Sequence, residues 1–210
     1  MYHTPYFKAA DNEDVLAFMQ AHPFILLCGT DTLGKPVATH VPVLIEERDG
    51  VLYLQAHIMR KQQHTRAFEN NPNVLAVFQG AHTYVSASWY QHPQTASTWN
   101  YQAVHASGQL RFLNEEGLLT LLAKLTRHFE NEANSPALVE KMEDTYLQQM
   151  MKAIVGFEIE ITALEHVFKL SQNRDEKTYD NIINQLETQG TDAKEIAANM
   201  QQQKHQIFPK

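Results

Sequence analysis

With one cysteine among 210 residues, the chain has no internal disulfide framework, and its fold must rest on burial and hydrogen bonding. That residue, Cys28, lies in the apolar run Phe24-Ile25-Leu26-Leu27-Cys28-Gly29, where burial raises a thiol pKa, so a structural, inert role is expected. Long apolar runs are missing: nowhere do 18 uninterrupted apolar residues occur, and Met1-Tyr2-His3-Thr4-Pro5 is no charged leader before an apolar segment. No membrane association is expected, and the chain reads as a soluble cytoplasmic protein. Basic surplus is missing too. Lys and Arg number 17 against 24 Asp and Glu, a formal net charge of -7, so no general field attracts phosphates and direct nucleic-acid binding is not expected. No Gly-rich loop opens a helix after a strand, which removes the Rossmann and P-loop sites, and no Gly-x-Ser-x-Gly elbow supports a hydrolase. The eleven histidines are scattered, without a His-Glu-x-x-His helix or paired Cys/His spacing, so no metal site is expected.

What is present is a 43% hydrophobic chain, enough for one domain core with a helical annex. Asp11 to Gln20 reads as a short helix capped by Asp11 or Asn12 and stopped by Pro23. Runs of strand type follow over 24–30, 37–46, 51–57 and 74–79, with Asp49-Gly50 suited to a tight hairpin, and together they predict an antiparallel meander. A crossing helix is expected over 61–70, ended by Asn70-Asn71-Pro72, and further strands over 83–90 and 101–112 with Gly108 at a bulge or turn. Apolar residues at three-and-four spacing predict helices over 115–132 and 137–152. The chain returns to strand over 153–163, where Phe157, Ile159 and Ile161 alternate with Glu158, Glu160 and Thr162, one face in and one out, and again over 167–170. Two tail helices, from Asp175 and from Thr191 or Asp192, are expected to fray at Gln201-Gln202-Gln203. The class that follows is mainly β with helices (α+β): a small barrel with helices gathered at one end.

Both tryptophans fall within residues 80–101, together with three tyrosines and a cluster of hydroxyls. Apolar ring faces beside small oriented donors suit a planar, phosphorylated cofactor. Period-two alternation places Tyr84, Ser86 and Ser88 on one strand face and Val85, Ala87 and Trp89 on the other. Upstream, Arg60 and Lys61 are adjacent cations where a strand ends and a helix begins, a combination that binds phosphate by dipole and charge-assisted hydrogen bonds. In Ser97-Thr98-Trp99-Asn100-Tyr101 the Asn100 amide can both donate and accept at a heterocycle edge. In Lys169-Leu170-Ser171-Gln172-Asn173-Arg174 a capped turn explains Ser171 or Asn173 but not the whole polar set. Solvated turns and plain core packing stand as the alternatives for each. No catalytic acid or base is assigned; His64, His82 and His105 are of the residue type suited to proton transfer, but none lies in a catalytic sequence motif.

Four separated pieces, His57-Ile-Met-Arg60, Phe78 to Tyr90, Thr98-Trp99-Asn100-Tyr101 with Val104-His105, and Lys169 to Arg174, together resemble the PaiB-type FMN-binding proteins, also labelled negative transcriptional regulators. The resemblance runs in order along nearly the whole chain. It implies an FMN-binding split β-barrel over 1–170, with inserted helices over 115–152 and a C-terminal helical extension over 171–210. It further implies a homodimer with FMN between the subunits. Carried over by position, Arg60 and Lys61 would hold the phosphate, Ser86 and Ser88 phosphate or ribityl oxygens, and Trp99, Asn100 and Gln172 would approach the isoalloxazine. His57, Asn173 and Arg174 complete the cofactor-binding set. The activity implied is that of an FMN-dependent oxidoreductase or flavin reductase, with two alternatives: a regulator acting through flavin sensing or protein partners, and a haem-handling relative of the barrel. Where family members have Gly-Pro-His, this chain has Gly80-Ala81-His82, which predicts a looser turn there.

Overall fold

The computed structural model describes residues 1, 4–9, 11–92 and 94–209; Pro93, inside the aromatic stretch, and Tyr2 and His3 of the opening segment lie outside the described residues. The elements run α1 (Asn12–Ala21), β1 (Phe24–Thr30), β2 (Pro36–Pro42), β3 (Leu44–Arg48), β4 (Val51–Met59), α2 (Gln63–Asn70), β5 (Asn73–Val85), β6 (Thr98–Phe112), α3 (Glu115–Glu130), α4 (Asp144–Ala153), β7 (Ile154–Lys169), α5 (Glu176–Leu186) and α6 (Thr191–Ile207). Local chemistry sets many of these ends. Asp11 caps α1 by accepting from the Asp14 amide at 2.9 Å, and Asn114 and Asp175 cap α3 and α5 in the same way. Asp49 and Gly50 both take positive φ, 51° and 77°, in the tight hairpin joining β3 to β4.

Among the described residues, seven strands form one sheet in the order β2-β1-β5-β6-β7-β4-β3, antiparallel wherever the register is defined between neighbours. This corrects the expected meander. The run 37–46 divides at Val43, whose amide donates to Pro23 O at 2.9 Å, and its halves β2 and β3 go to opposite edges of the sheet. The runs 74–79 and 83–90 merge instead, since β5 continues through Gly80-Ala81-His82 to Val85, so the expected turn at that tripeptide is strand. Likewise 153–163 and 167–170 are one strand, β7, and α6 holds its helix to Ile207 rather than fraying at Gln201. The helix expected over 137–152 is a single 3-10 turn, Val139–Lys141, followed by α4.

Two compact units are distinguished by their contacts. The first comprises residues 1–22, 79–104 and 165–210. Its core joins Val85 of β5 and Leu170 to Tyr179, Ile182 and Leu186 of α5 and Ile196 and Met200 of α6, all fully buried, with Trp89, Tyr90 and Phe208 packed against them. The Tyr179 hydroxyl donates to Met200 O at 2.9 Å, and burial pushes that phenol well above its ordinary pKa.

The second unit comprises 23–78 and 105–164. Ile25, Leu27, Leu54, Phe78, Phe157 and Ile159 fill its core, each contributing about 1.5–3 kcal/mol on removal from water. α3 lies directly on β7: a Cβ at Gly156 would stand 3.3 Å from side-chain atoms of Leu113, Leu118 and Leu121. That cover overturns the outward reading of Glu158, which is 2% exposed. Its Oε1 accepts from Arg111 Nε and a terminal Arg111 nitrogen at 3.1 and 2.6 Å, and its Oε2 from Gln55 Nε2 at 2.6 Å and from Arg48. Burial pushes this carboxyl up, but the donors from Gln55, Arg111 and Arg48 outweigh it and hold the pKa below the ordinary glutamate range. Among the described residues no helix is long and apolar enough to cross a membrane.

Candidate functional site

The candidate residues fall into two groups, one in each unit. In the second unit, β4 ends at Met59 and the chain turns through Arg60 and Lys61 into α2. Both cations are exposed, and Lys61 takes a φ of 63°. The turn is pinned from three sides. Arg60 N donates to Ala153 O at 2.8 Å, Thr65 Oγ1 donates to Met59 O at 2.7 Å, and Arg66 N donates to Gln62 O at 3.1 Å. Gln62 occupies the cap position of α2 without a side-chain hydrogen bond to the helix. The first-turn amides of α2 therefore point outward beside two positive charges. His57, on β4 opposite Gly156, is half-buried; its Nδ1 is buried with no hydrogen-bond partner among the described residues. Burial lowers its pKa and keeps the ring neutral at neutral pH.

In the first unit, β5 and β6 carry an aromatic face. Trp99 is 52% and Tyr84 48% exposed, their ring centroids 6.0 Å apart in an edge contact, and the His82 ring lies 6.1 Å from Trp99. Lys169, at the end of β7, donates to Thr98 Oγ1 next to Trp99. Burial and then the nearby Arg174 charge lower the Lys169 pKa. The arrangement offers ring faces for stacking and one amine whose proton is easier to give up than that of an ordinary lysine.

The expected serine face has a different local geometry. β5 ends at Val85, so the alternation does not extend to Ser88; Ser86 instead caps a 3-10 turn over Ala87–Trp89. The two hydroxyls still meet, with Ser86 Oγ 2.8 Å from Ser88 Oγ, and Ser97 Oγ accepts from Ala87 N at 2.9 Å. Asn100 is fully buried, accepting from Ser171 Oγ at 3.0 Å and donating toward Met200 Sδ at 3.6 Å. Gln172 spends its amide on its own loop: Oε1 accepts from Leu170 N at 2.8 Å and Nε2 donates to Phe168 O at 2.5 Å. These bonds lock the turn that follows β7, in which Ser171 has a φ of 63°. Asn173 is exposed on that turn, and the Arg174 guanidinium lies 4.3 Å from the Tyr90 ring centroid. Thus Asn100 and Gln172 shape the polar turn from within, while Trp99, Ser88 and Asn173 face outward.

Two features were not read from the sequence. The buried Glu158 network looks in sequence like an ordinary outward-facing strand position, and only tertiary cover distinguishes it. Tyr84 beside Trp99 was within reach, since both lie in the aromatic stretch, but their pairing requires knowing that β5 and β6 are neighbours. Among the described residues no cluster of three or more His, Cys, Asp or Glu side chains is arranged to hold a metal ion.

Residues 1–163 match the family model described as "Putative FMN-binding domain". The Bacillus subtilis protein named "Protease synthase and sporulation protein PAI 2" is 36% identical over 202 residues, covering 96% of this chain and 97% of that relative. Among solved structures, the conserved hypothetical protein Rv2991 from Mycobacterium tuberculosis superposes with a TM-score of 0.56 at 14% identity, over 80% of this chain and 90% of the other. The flavocytochrome Anf3 from Azotobacter vinelandii gives a TM-score of 0.56 at 17% identity, over 86% of this chain and 78% of the other. At such identities the structural likeness is one of fold, and the fold is a split β-barrel with added helices.

Proposed function

The chain belongs to the FMN-binding family whose model it matches, and from that premise we propose that it is a homodimeric, cytoplasmic flavoprotein with FMN bound between its subunits. The observation that carries this reading is the Arg60-Lys61 turn at the uncapped start of α2. An N-terminal dipole, free amides and two exposed cations together form a receptor for a phosphate dianion. The aromatic face of Trp99 and Tyr84 supplies the other requirement of the ligand, flat apolar walls for a three-ring system. The phosphate of one FMN sits on the Arg60-Lys61 turn of one protomer while its ring meets the aromatic face of the partner.

Bound flavin supplies hydride and one-electron chemistry, and the chain supplies orientation and charge around it. Ser86 and Ser88 offer hydroxyls to phosphate or ribityl oxygens, and Lys169 holds a cationic donor beside Trp99. The activity is that of an FMN-dependent oxidoreductase or flavin reductase. The name of the B. subtilis relative favours a second reading, a regulator that senses flavin and acts through a protein partner. The acidic net charge supports a protein partner over direct DNA contact. Oxidation of NADH or NADPH by the FMN-loaded protein separates the two.

Quenching of flavin fluorescence tests the carrying observation. The double variant Arg60→Ala/Lys61→Ala weakens FMN binding by about tenfold or more, the scale of lost charge-assisted phosphate bonds, while riboflavin affinity is unchanged because riboflavin has no phosphate. Equal losses for FMN and riboflavin, or none for either, overturn the placement. A Soret band on haem titration with no response to FMN overturns the flavin reading itself.

A further inference from the structure

A cavity of about 410 Å³ lies within the first unit between α1 and α6, where the flavin reading assigns no residue. Its size is within the range of small-molecule sites. Phe18 and Phe168 line it, both buried, with ring centroids 5.1 Å apart, and the His22 ring lies 4.4 Å from Phe18. Carboxamides supply much of the remaining wall. Gln102 is only 7% exposed; its Oε1 accepts from Asn199 Nδ2 at 2.7 Å, and its amide nitrogen has no hydrogen bond among the described residues. Two carboxylates, Asp14 and Glu195, stand among the lining residues, with no lysine or arginine.

We propose that this cavity binds a phosphate-free, planar nitrogen heterocycle with an amino-substituted edge, of the kind guanosine presents. Buried rings provide a stacking floor. The Gln102 amide nitrogen is a donor committed to no protein acceptor, so a ligand that offers an acceptor there gains a hydrogen bond without breaking one within the protein. Carboxamides read both donors and acceptors on a heterocycle edge. A carboxylate such as Glu195 accepts two N–H bonds from an amino-lactam edge, as it does from an arginine fork. The two negative charges, unopposed by any lining lysine or arginine, repel a phosphate and so disfavour nucleotides, FMN among them. This site is independent of the flavin reading, because none of its lining residues belongs to the Arg60 turn or to the Trp99 face.

Calorimetric titration of the full-length protein tests the proposal, run after the same sample has been titrated with FMN by fluorescence so that failure of one site is visible apart from the other. Guanosine binds; GMP binds at least about tenfold more weakly, and thymidine, which lacks the amino edge, is weaker by a similar factor. Glu195→Gln, an exposed position that leaves the fold intact, lowers guanosine affinity about tenfold and leaves FMN affinity unchanged. Gln102→Leu lowers guanosine affinity as well, with circular dichroism confirming the fold. GMP binding as tightly as guanosine, thymidine equal to guanosine, or an unchanged affinity in the folded Glu195→Gln protein overturns it.

Discussion

At the scale of single residues, the most consequential side chain outside the candidate site is Glu158. Its carboxylate is buried, yet both guanidiniums that hold it reach water, Arg48 at 40% and Arg111 at 65% side-chain exposure. Removal of the cations and removal of the anion are therefore unequal. Arg48→Ala/Arg111→Ala strands a buried charge with Gln55 as its remaining partner and costs about 3–5 kcal/mol in denaturant unfolding. Glu158→Leu lets both guanidiniums turn to solvent and costs under about 2 kcal/mol. The same group sets a pH dependence. Its folded pKa lies below the unfolded value of 4.5, so its stabilisation is complete above 4.5 and is lost as pH falls through the depressed folded value. His57, His64 and His166, all lowered from 6.5 chiefly by burial, act in the same direction from 6.5 downward, because the unfolded chain takes up their protons first. Urea midpoints thus fall on acidification from about pH 7.5, first through the histidine range and then through the carboxylate range, and the second fall is smaller in Glu158→Leu, where the depressed Glu140 and Asp175 carboxyls remain. A midpoint that rises as pH drops from 7 to 5 contradicts this assignment.

At the scale of elements, the close approach of β6 and β7 is set by one position. A Cβ at Gly108 would stand 2.3 Å from Glu160 O, a contact with backbone that no side-chain rotation relieves. Gly108→Ala forces the strands apart and costs about 1–3 kcal/mol, read as a shift in the denaturation midpoint, whereas Gly190→Ala, with open space around it, leaves the midpoint nearly unmoved. Elements whose ends are fixed by local chemistry were legible in the sequence: α1 through Asp11, the β3–β4 hairpin through Asp49-Gly50, and β1 to the residue. Where the ends are decided by distant partners, the local pattern misled. Nothing in the run Val41-Pro42-Val43-Leu44 announces that Pro23 O will take the Val43 amide and send the two halves to opposite edges. The continuous β7 hid a break-free strand behind Ala163-Leu164-Glu165, and α6 reads as frayed from Gln201 until Met200 is seen locked into the α5–α6 core. In the candidate site the residue types were visible, but not their orientations: Asn100 and Gln172 bond inward to Ser171 and to the Phe168 and Leu170 backbone.

At the scale of the whole molecule, the sheet order, the family match over 1–163 and the resemblance of the four sequence pieces agree on a split barrel of the FMN-binding family. The proposed site takes its phosphate turn from one unit of a protomer and its aromatic face from the other unit of the partner, so the proposal stands or falls with the dimer. The measurement that tests it most directly is a titration of the purified protein with FMN, followed by visible absorbance, with the mass of the complex determined in the same sample by light scattering. Saturation is expected at one FMN per chain in a particle of twice the chain mass, with the flavin bands perturbed by stacking on Trp99 and lost from that perturbed form in Trp99→Ala. Flavin bands unchanged from free FMN at saturating protein would contradict it.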